Sequence, residues 1–237
     1  WIIEALATHY EYCGNQSSLI MAINAASWIN QYCRHHNNGY LTNTMTQKPL
    51  HLSDTLSMAR AMLQLYRATF DKQYLKLACE SARFINRNFK NVICGYNSKL
   101  NSQNETTTTR QIDENISLTR FVNLLSYYSG EQIFTKMAKH GLRYLCIPEI
   151  ATARMEEAGI LLIDREMSST PLTITIHGKR YDPILKEFIK IAQHNAAWYK
   201  LIKVHSAASA SAAIEIDGIK SKAVTSPEKL QKLLKNH

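Results

Sequence analysis

The stretch 52-LSDTLSMARAMLQLYRATFDKQYLKLACESARFIN-86 decides how this chain folds. Leu56, Ala59, Leu63 and Tyr66 recur at steps of three and four. After a polar break at Asp71-Lys72-Gln73, the same spacing resumes with Tyr74, Leu77, Ala78, Ala82 and Ile85. That period lays an apolar stripe along one face of a helix. A helix, a tight polar turn and a second helix make an antiparallel αα-hairpin.

The hairpin is one copy of a repeat. Sliding residues 5–40 against residues 61–96, an offset of 56 without gaps, pairs Tyr10 with Tyr66, Ala22 with Ala78, and Ala26 with Ala82. It also pairs Trp28 with Phe84, Ile29 with Ile85, and Gly39-Tyr40 with Gly95-Tyr96. A third copy follows at an offset of 60, where Leu125 matches Leu65, Phe134 matches Tyr74, Ala138 matches Ala78 and Tyr144 matches Phe84. The breaks recur as Gly14-Asn15-Gln16 and Gly130-Glu131-Gln132. Small residues let the helices approach closely, and the aromatic residue one turn on is expected to fill the gap between layers. A lone hairpin cannot cover its apolar faces, so copies must stack, as an open solenoid or a closed ring. The period exceeds the roughly 34–47 residues of common helical solenoids. The excess lies in residues 37–52 and 92–112, both opening near Gly-Tyr, and long loops gathered on one side suggest part of an α/α ring. A glycine that turns the chain under a packed tyrosine explains the dipeptide equally well.

From Thr170 the period changes. Leu172, Ile174 and Ile176 alternate with Thr173, Thr175 and His177, as in a half-buried strand. Asp182-Pro183 reads as the cap and first residue of a helix running to about His194, and residues 200–205 alternate again. Residues 207–213 read as a small-residue linker, residues 213–216 as a short strand, and Ser226-Pro227-Glu228 as the start of a last amphipathic helix. The expected division is therefore residues 1–157, hairpins of a partial toroid, and residues 158–237, a small β-α-β-β-α module. That module lacks the GxGxxG turn of a dinucleotide site.

Composition narrows the function. The formal charge of +9 is spread over scattered Lys and Arg with acidic residues between them. No basic stripe with interleaved aromatics appears, so nucleic acid is not expected as a partner. No apolar run approaches the ~20 residues that cross a bilayer. Five widely spaced cysteines without a CxxC exclude the usual redox and zinc-ribbon patterns. They read as buried free thiols in a reducing compartment, with the cytoplasm the expected location. No metal site and no cofactor are expected. A start at Trp1, inside a helix already under way and without a signal segment, reads as a fragment or a processed product.

Three stretches carry a resemblance: residues 52–78 (LSDTLSMARAMLQLYRATFDKQYLKLA), residues 113–131 (DENISLTRFVNLLSYYSGE) and residues 158–183 (AGILLIDREMSSTPLTITIHGKRYDP). They are similar to the C-terminal half of the thioredoxin-domain-containing proteins related to spermatogenesis-associated protein, and the tail 212–234 resembles that family's closing strand and helix. The resemblance implies a thioredoxin-like domain, absent from this chain, ahead of a six-hairpin toroid of the glycosidase or sugar-epimerase kind. About three of those hairpins are present. The family tail carries two cysteines where this chain has Ile214 and Lys220 or their neighbours, which removes any thiol role from the tail.

Sugar chemistry on such rings needs paired carboxylates, or a histidine with a carboxylate, projecting from the inner helices. The repeat makes Asp54 and Glu114 equivalent, each in the first turn of the first helix of its hairpin. His51 lies just upstream of one, and Asp113, Asn115 and Arg120 surround the other. With Tyr40 and Tyr96 as stacking platforms, these groups would converge on a carbohydrate-like ligand, Asp54 or Glu114 acting as acid or base. Acidic residues in a first turn also simply offset the helix dipole, by roughly 0.3–1 kcal/mol, with Ser53 or Asp113 as natural caps. His35-His36 reads as a solvated turn rather than a metal site. Asp164, Ser168 or Ser169, and His177 have no GxSxG elbow to make them a triad. The sequons at Asn15, Asn104 and Asn115 matter only in a glycosylating pathway, and residues 101–110 read as an exposed flexible loop. The competing expectation is a non-catalytic scaffold that docks a thioredoxin-like domain or another protein. Half a ring alone leaves its cavity open to water, so the fragment by itself is expected to be inactive.

Overall fold

A computed structural model describes residues 1–35, 38–41, 50–100, 109–152 and 158–235. Three helix–turn–helix units follow in the order that the repeat predicts: α1 (Ile2–Cys13) and α2 (Gln16–Tyr32), α3 (Leu52–Thr69) and α4 (Lys72–Asn88), and α5 (Ile112–Ser129) and α6 (Gln132–Leu145); α4 packs along α3 and α6 along α5, while His9 of α1 meets Ser18 of α2 at 2.8 Å. Before Ala158 the described residues contain isolated bridges but no strand. Residue contacts divide the chain into two compact units: Trp1–Tyr10 with Asn15–Arg165, and Glu11–Gly14 with Glu166–His237.

The three tight turns of the hairpins are the same turn, two of them in the first unit and one at Gly14, a residue grouped with the second. Gly14, Phe70 and Gly130 occupy equivalent places and all adopt the left-handed conformation, at φ 68, 57 and 73. Glycine reaches it without cost, whereas Phe70 carries the Cβ strain. Asn15 and Asp71 then cap the second helices, accepting from the backbone N–H of Ser18 and Gln73 at 3.1 and 3.0 Å. The first helices do not begin at the expected caps. His51 and Gln111 are the capping residues and neither contributes a side-chain bond, while Ser53 and Asp113 lie inside their helices.

The stripe of small residues packs as the periodicity requires: Ala22, Ala26, Ala78, Ala82 and Ala138 are all fully buried. Helix α3 packs against α2, α4 and α5 and buries twelve of its 18 residues, against seven of 17 in α4. Phe84 and Tyr144 fill the gap between layers as expected, but their counterpart Trp28 is 58% exposed. Arg83 joins α4 to the last turn through both carboxylate oxygens of Glu131. Two short helices follow, α7 (Pro148–Ala151) and α8 (Ala158–Ser168).

In the second unit a four-stranded sheet has the order β2-β1-β3-β4, with β1 (Leu172–Gly178), β2 (Lys200–Ser206), β3 (Ser211–Ile216) and β4 (Ile219–Lys220). Strand β1 pairs parallel with β2, which the crossover helix α9 (Pro183–His194) makes possible, and antiparallel with β3. Ile174 and Ile176 face inward as the alternation predicted. The expected linker is shorter than its composition suggested. Strand β3 starts at Ser211 and buries Ala212 and Ala213, because small side chains suit a strand packed closely on β1. Strand β4, not anticipated, folds back through Asp217-Gly218, both at positive φ, a tight hairpin turn. Helix α10 (Pro227–Lys235) closes the unit through Leu230 and Leu234.

Candidate functional site

The site grows from the loop that joins the second hairpin to the third. Ser98, buried, lies between the N-termini of α3 and α5. Its carbonyl accepts the Leu52 N–H at 2.9 Å, and its hydroxyl accepts the Gln111 N–H at 3.1 Å. The Leu100 N–H adds a bond to the Leu50 carbonyl at 3.0 Å, and His51 bridges Lys99. One loop residue thus ties together the starts of two helices that carry the equivalent acids Asp54 and Glu114.

Asp54 acts on Glu114. Burial pushes the Glu114 carboxyl above the ordinary value of 4.5; the Ser98 hydroxyl and His51 pull it down, and Asp113 and Asp54 push it further up. Glu114 Oε2 is buried and accepts no hydrogen bond from any described residue. An unsatisfied buried carboxylate oxygen is costly, about 1–3 kcal/mol or more. Ser98 was invisible to sequence reasoning, since a serine in a loop carries no periodic signal.

Other expected site residues lie elsewhere or do different work. Tyr40 and Tyr96 are 2% and 0% exposed, so neither is a stacking platform for a ligand. Each Gly-Tyr loop is instead pinned to the next hairpin. The Tyr40 N–H donates to Thr55 Oγ1 at 3.1 Å, and the Tyr96 N–H donates to Asn115 Oδ1 at 2.7 Å. Asn115 Nδ2 returns a bond to the Tyr96 carbonyl at 3.0 Å. Asn115 is fully buried, which spends its amide on the fold rather than on a ligand and removes it as a glycosylation acceptor. Asp113 and Arg120 are exposed on α5. Arg120 lies two turns beyond Asp113, about 10 Å along the helix axis. Glu114 therefore lies within electrostatic reach of His51, Asp54, Ser98 and Asp113, and these five residues are the candidate cluster.

No metal centre emerges: among the described residues no group of three or more His, Cys, Asp and Glu side chains could hold an ion. His36 and Asn104 lie outside the described residues, as does most of the loop 101–110. All five cysteines are free, but only Cys79 and Cys94 are buried; Cys13 and Cys146 are exposed, contrary to the expectation of burial. Burial pushes the Cys79 thiol up to about 11, so it is inert. Among the described residues no helix is long and apolar enough to cross a membrane.

The β-L-arabinofuranosidase catalytic-domain model of glycoside hydrolase family 127 matches residues 1–135, more than half of the chain and all of the candidate site. The chain belongs to this family. No curated protein matches it. Among solved structures, a family 76 α-mannanase from Bacteroides thetaiotaomicron is 15% identical, with a TM-score of 0.55 over 81% of this chain and 55% of that one. An inactive doubly substituted α-1,6-mannanase from Salegentibacter, in complex with α-1,6-mannotriose, is 16% identical, with a TM-score of 0.55 over 62% of this chain and 46% of that one. A sugar epimerase from a ruminal bacterium is 19% identical, with a TM-score of 0.50 over 60% of this chain and 40% of that one. At these identities the likeness is one of fold: the family member described here has the α/α hairpins of six-hairpin glycosidase-like toroids. It spans about half or less of those chains' lengths.

Proposed function

We propose that this chain contributes one wall of a carbohydrate site, with Glu114 as its general acid. The observation that carries the reading is the buried Oε2 of Glu114, unpartnered among the described residues, on a carboxyl held above its ordinary range. A carboxyl that keeps its proton nearer neutrality can donate it to a leaving glycosidic oxygen, while a neighbouring carboxylate stays ionised. Asp54 fits the second role, as base or as a charge that stabilises a developing oxocarbenium ion. His51 favours the ionised form of Glu114.

Two comparisons support a sugar ligand. The family's name describes hydrolysis of β-L-arabinofuranosides, and one fold neighbour holds α-1,6-mannotriose. That mannanase variant is described as inactive with two adjacent aspartates changed to asparagine, and Asp113-Glu114 is an adjacent acidic pair of similar kind. The resemblance to the thioredoxin-domain-containing family belongs to the same proposal, as does a cytoplasmic location, which suits five free thiols. The competing role, a purely structural scaffold, would place Leu and Phe rather than carboxylates where the loops meet.

Titration with a β-L-arabinofuranosyl disaccharide, α-1,6-mannotriose and cellobiose, followed by NMR, tests the reading. At least one should shift resonances at His51, Ser98 and Glu114, and binding should weaken in both Asp54→Ala and Glu114→Ala. Affinity unchanged by both substitutions would sink it.

A further inference from the structure

Helix α6 carries Lys136, Lys139, His140 and Arg143 and no acidic residue. Like charges one turn apart repel, so this strip is costly while nothing neutralises it. Lys136 and His140 line a cleft of about 110 Å³ between α4 and α6, together with Asn86, Lys90, Ile133 and Met137. No described carboxylate lines it, and among the described residues neither Lys90 nor Lys136 forms an ion pair. The volume is well below the roughly 300–1,000 Å³ of an ordinary small-molecule pocket. One compact group fits.

His140 is the buried member of the cleft, 8% exposed. Its Nε2 lies 3.1 Å from the carbonyls of both Asn91 and Gly95. A carbonyl only accepts, so Nε2 carries a hydrogen in both charge states of the ring. The proton that comes and goes therefore belongs to Nδ1, which has no hydrogen-bond partner among the described residues. Tyr96, edge-on at 5.4 Å between ring centroids, brings no charge. Burial, then Lys90 and Arg143, oppose protonation of the ring. An anion in the cleft would reverse that balance.

We propose that this cleft binds a phosphate-class oxyanion, held by the ammonium groups of Lys90 and Lys136, the Asn86 amide and the Nδ1–H of protonated His140. Four donors suit the oxygens of a tetrahedral dianion better than the two of a carboxylate. The apolar walls of Ile133 and Met137 strengthen each attraction by keeping water back. Helix dipoles explain only half of the charge. Lys90, just past the end of α4, offsets that helix's negative end, but Lys136, one turn into α6, gains nothing from its dipole. None of these residues belongs to the cluster around Glu114, so the proposal is independent of the sugar reading.

An NMR titration of the His140 ring in the whole chain tests it, with sulfate as the probe because it stays dianionic throughout. Saturating sulfate should raise the His140 midpoint by about half a pH unit or more, a roughly threefold gain in proton affinity. Chloride at matched ionic strength should not. The sulfate response should vanish in a Lys90→Gln, Lys136→Gln double variant, which keeps its fold because both lysines are exposed. A midpoint that moves equally in chloride overturns the proposal, as does a sulfate response that survives loss of both lysines. Free phosphate and phosphate monoesters share this chemistry, and titration with inorganic phosphate and with methyl phosphate separates them. Tighter binding of either supports the site and names its source; binding of neither overturns it.

Discussion

At the scale of the residue, the glycines separate conformation from contact. Gly14 and Gly95 both sit at positive φ, 68 and 71, yet nothing lies within 4 Å of a Cβ added at Gly14, whereas one at Gly95 strikes the Tyr144 side chain. Gly14→Ala should cost about 1 kcal/mol, the left-handed strain alone. Gly95→Ala should cost about 3 kcal/mol, strain plus overpacking. Urea denaturation measures both, and equal losses would mean that the joint does not bear on Tyr144. His140 is the other telling residue. Burial, Lys90 and Arg143 hold its pKa below the ordinary 6.5, against its bonds to the Asn91 and Gly95 carbonyls. A depressed pKa contributes stability that is present above the ordinary value and lost as pH falls through the folded one. Stability relative to a His140→Gln variant should therefore fall on acidification from about pH 7.5 to about pH 5.5; a constant difference would contradict this.

At the scale of the element, the helices were legible and the joints were not. Periodicity exposes any residue whose neighbours lie three and four positions away, which is why Leu56 to Tyr66 and Tyr74 to Ile85 announced a hairpin. Asn115, Thr55 and Ser98 work through hydrogen bonds to segments 13 or more residues distant, and nothing local marks them. That is why Asn115 and the Gly-Tyr pairs read as ligand groups from sequence but serve as clasps in the fold. The convergence of His51, Asp54 and Glu114 was foreseeable only because the repeat placed the two acids at equivalent positions. Asn115→Ala should destabilise the chain by about 2 kcal/mol, since the N–H and C=O of buried Tyr96 both lose their partner. Thr55→Ser keeps the equivalent bond to Tyr40 and should cost less than Thr55→Val. A calorimetric ranking in any other order would show that the clasps do not hold the loops.

At the scale of the whole molecule, repetition links fold to chemistry. Each hairpin buries small residues at equivalent positions, each Gly-Tyr loop clasps the next hairpin, and the first helices of the second and third hairpins each bring an acid, Asp54 and Glu114, to the same end. Two such acids become neighbours because Ser98 stitches their helices together. The proposed function rests on an electrostatic coupling that no single hairpin could produce. A carboxyl-carbon NMR titration of Glu114 measures that coupling directly, in the native chain and in the Asp54→Asn and His51→Gln variants. The native midpoint should lie above 4.5, fall when the negative charge of Asp54 is removed and rise when His51 is lost. A midpoint at the ordinary carboxylate value, indifferent to both substitutions, would mean that these residues do not share a site.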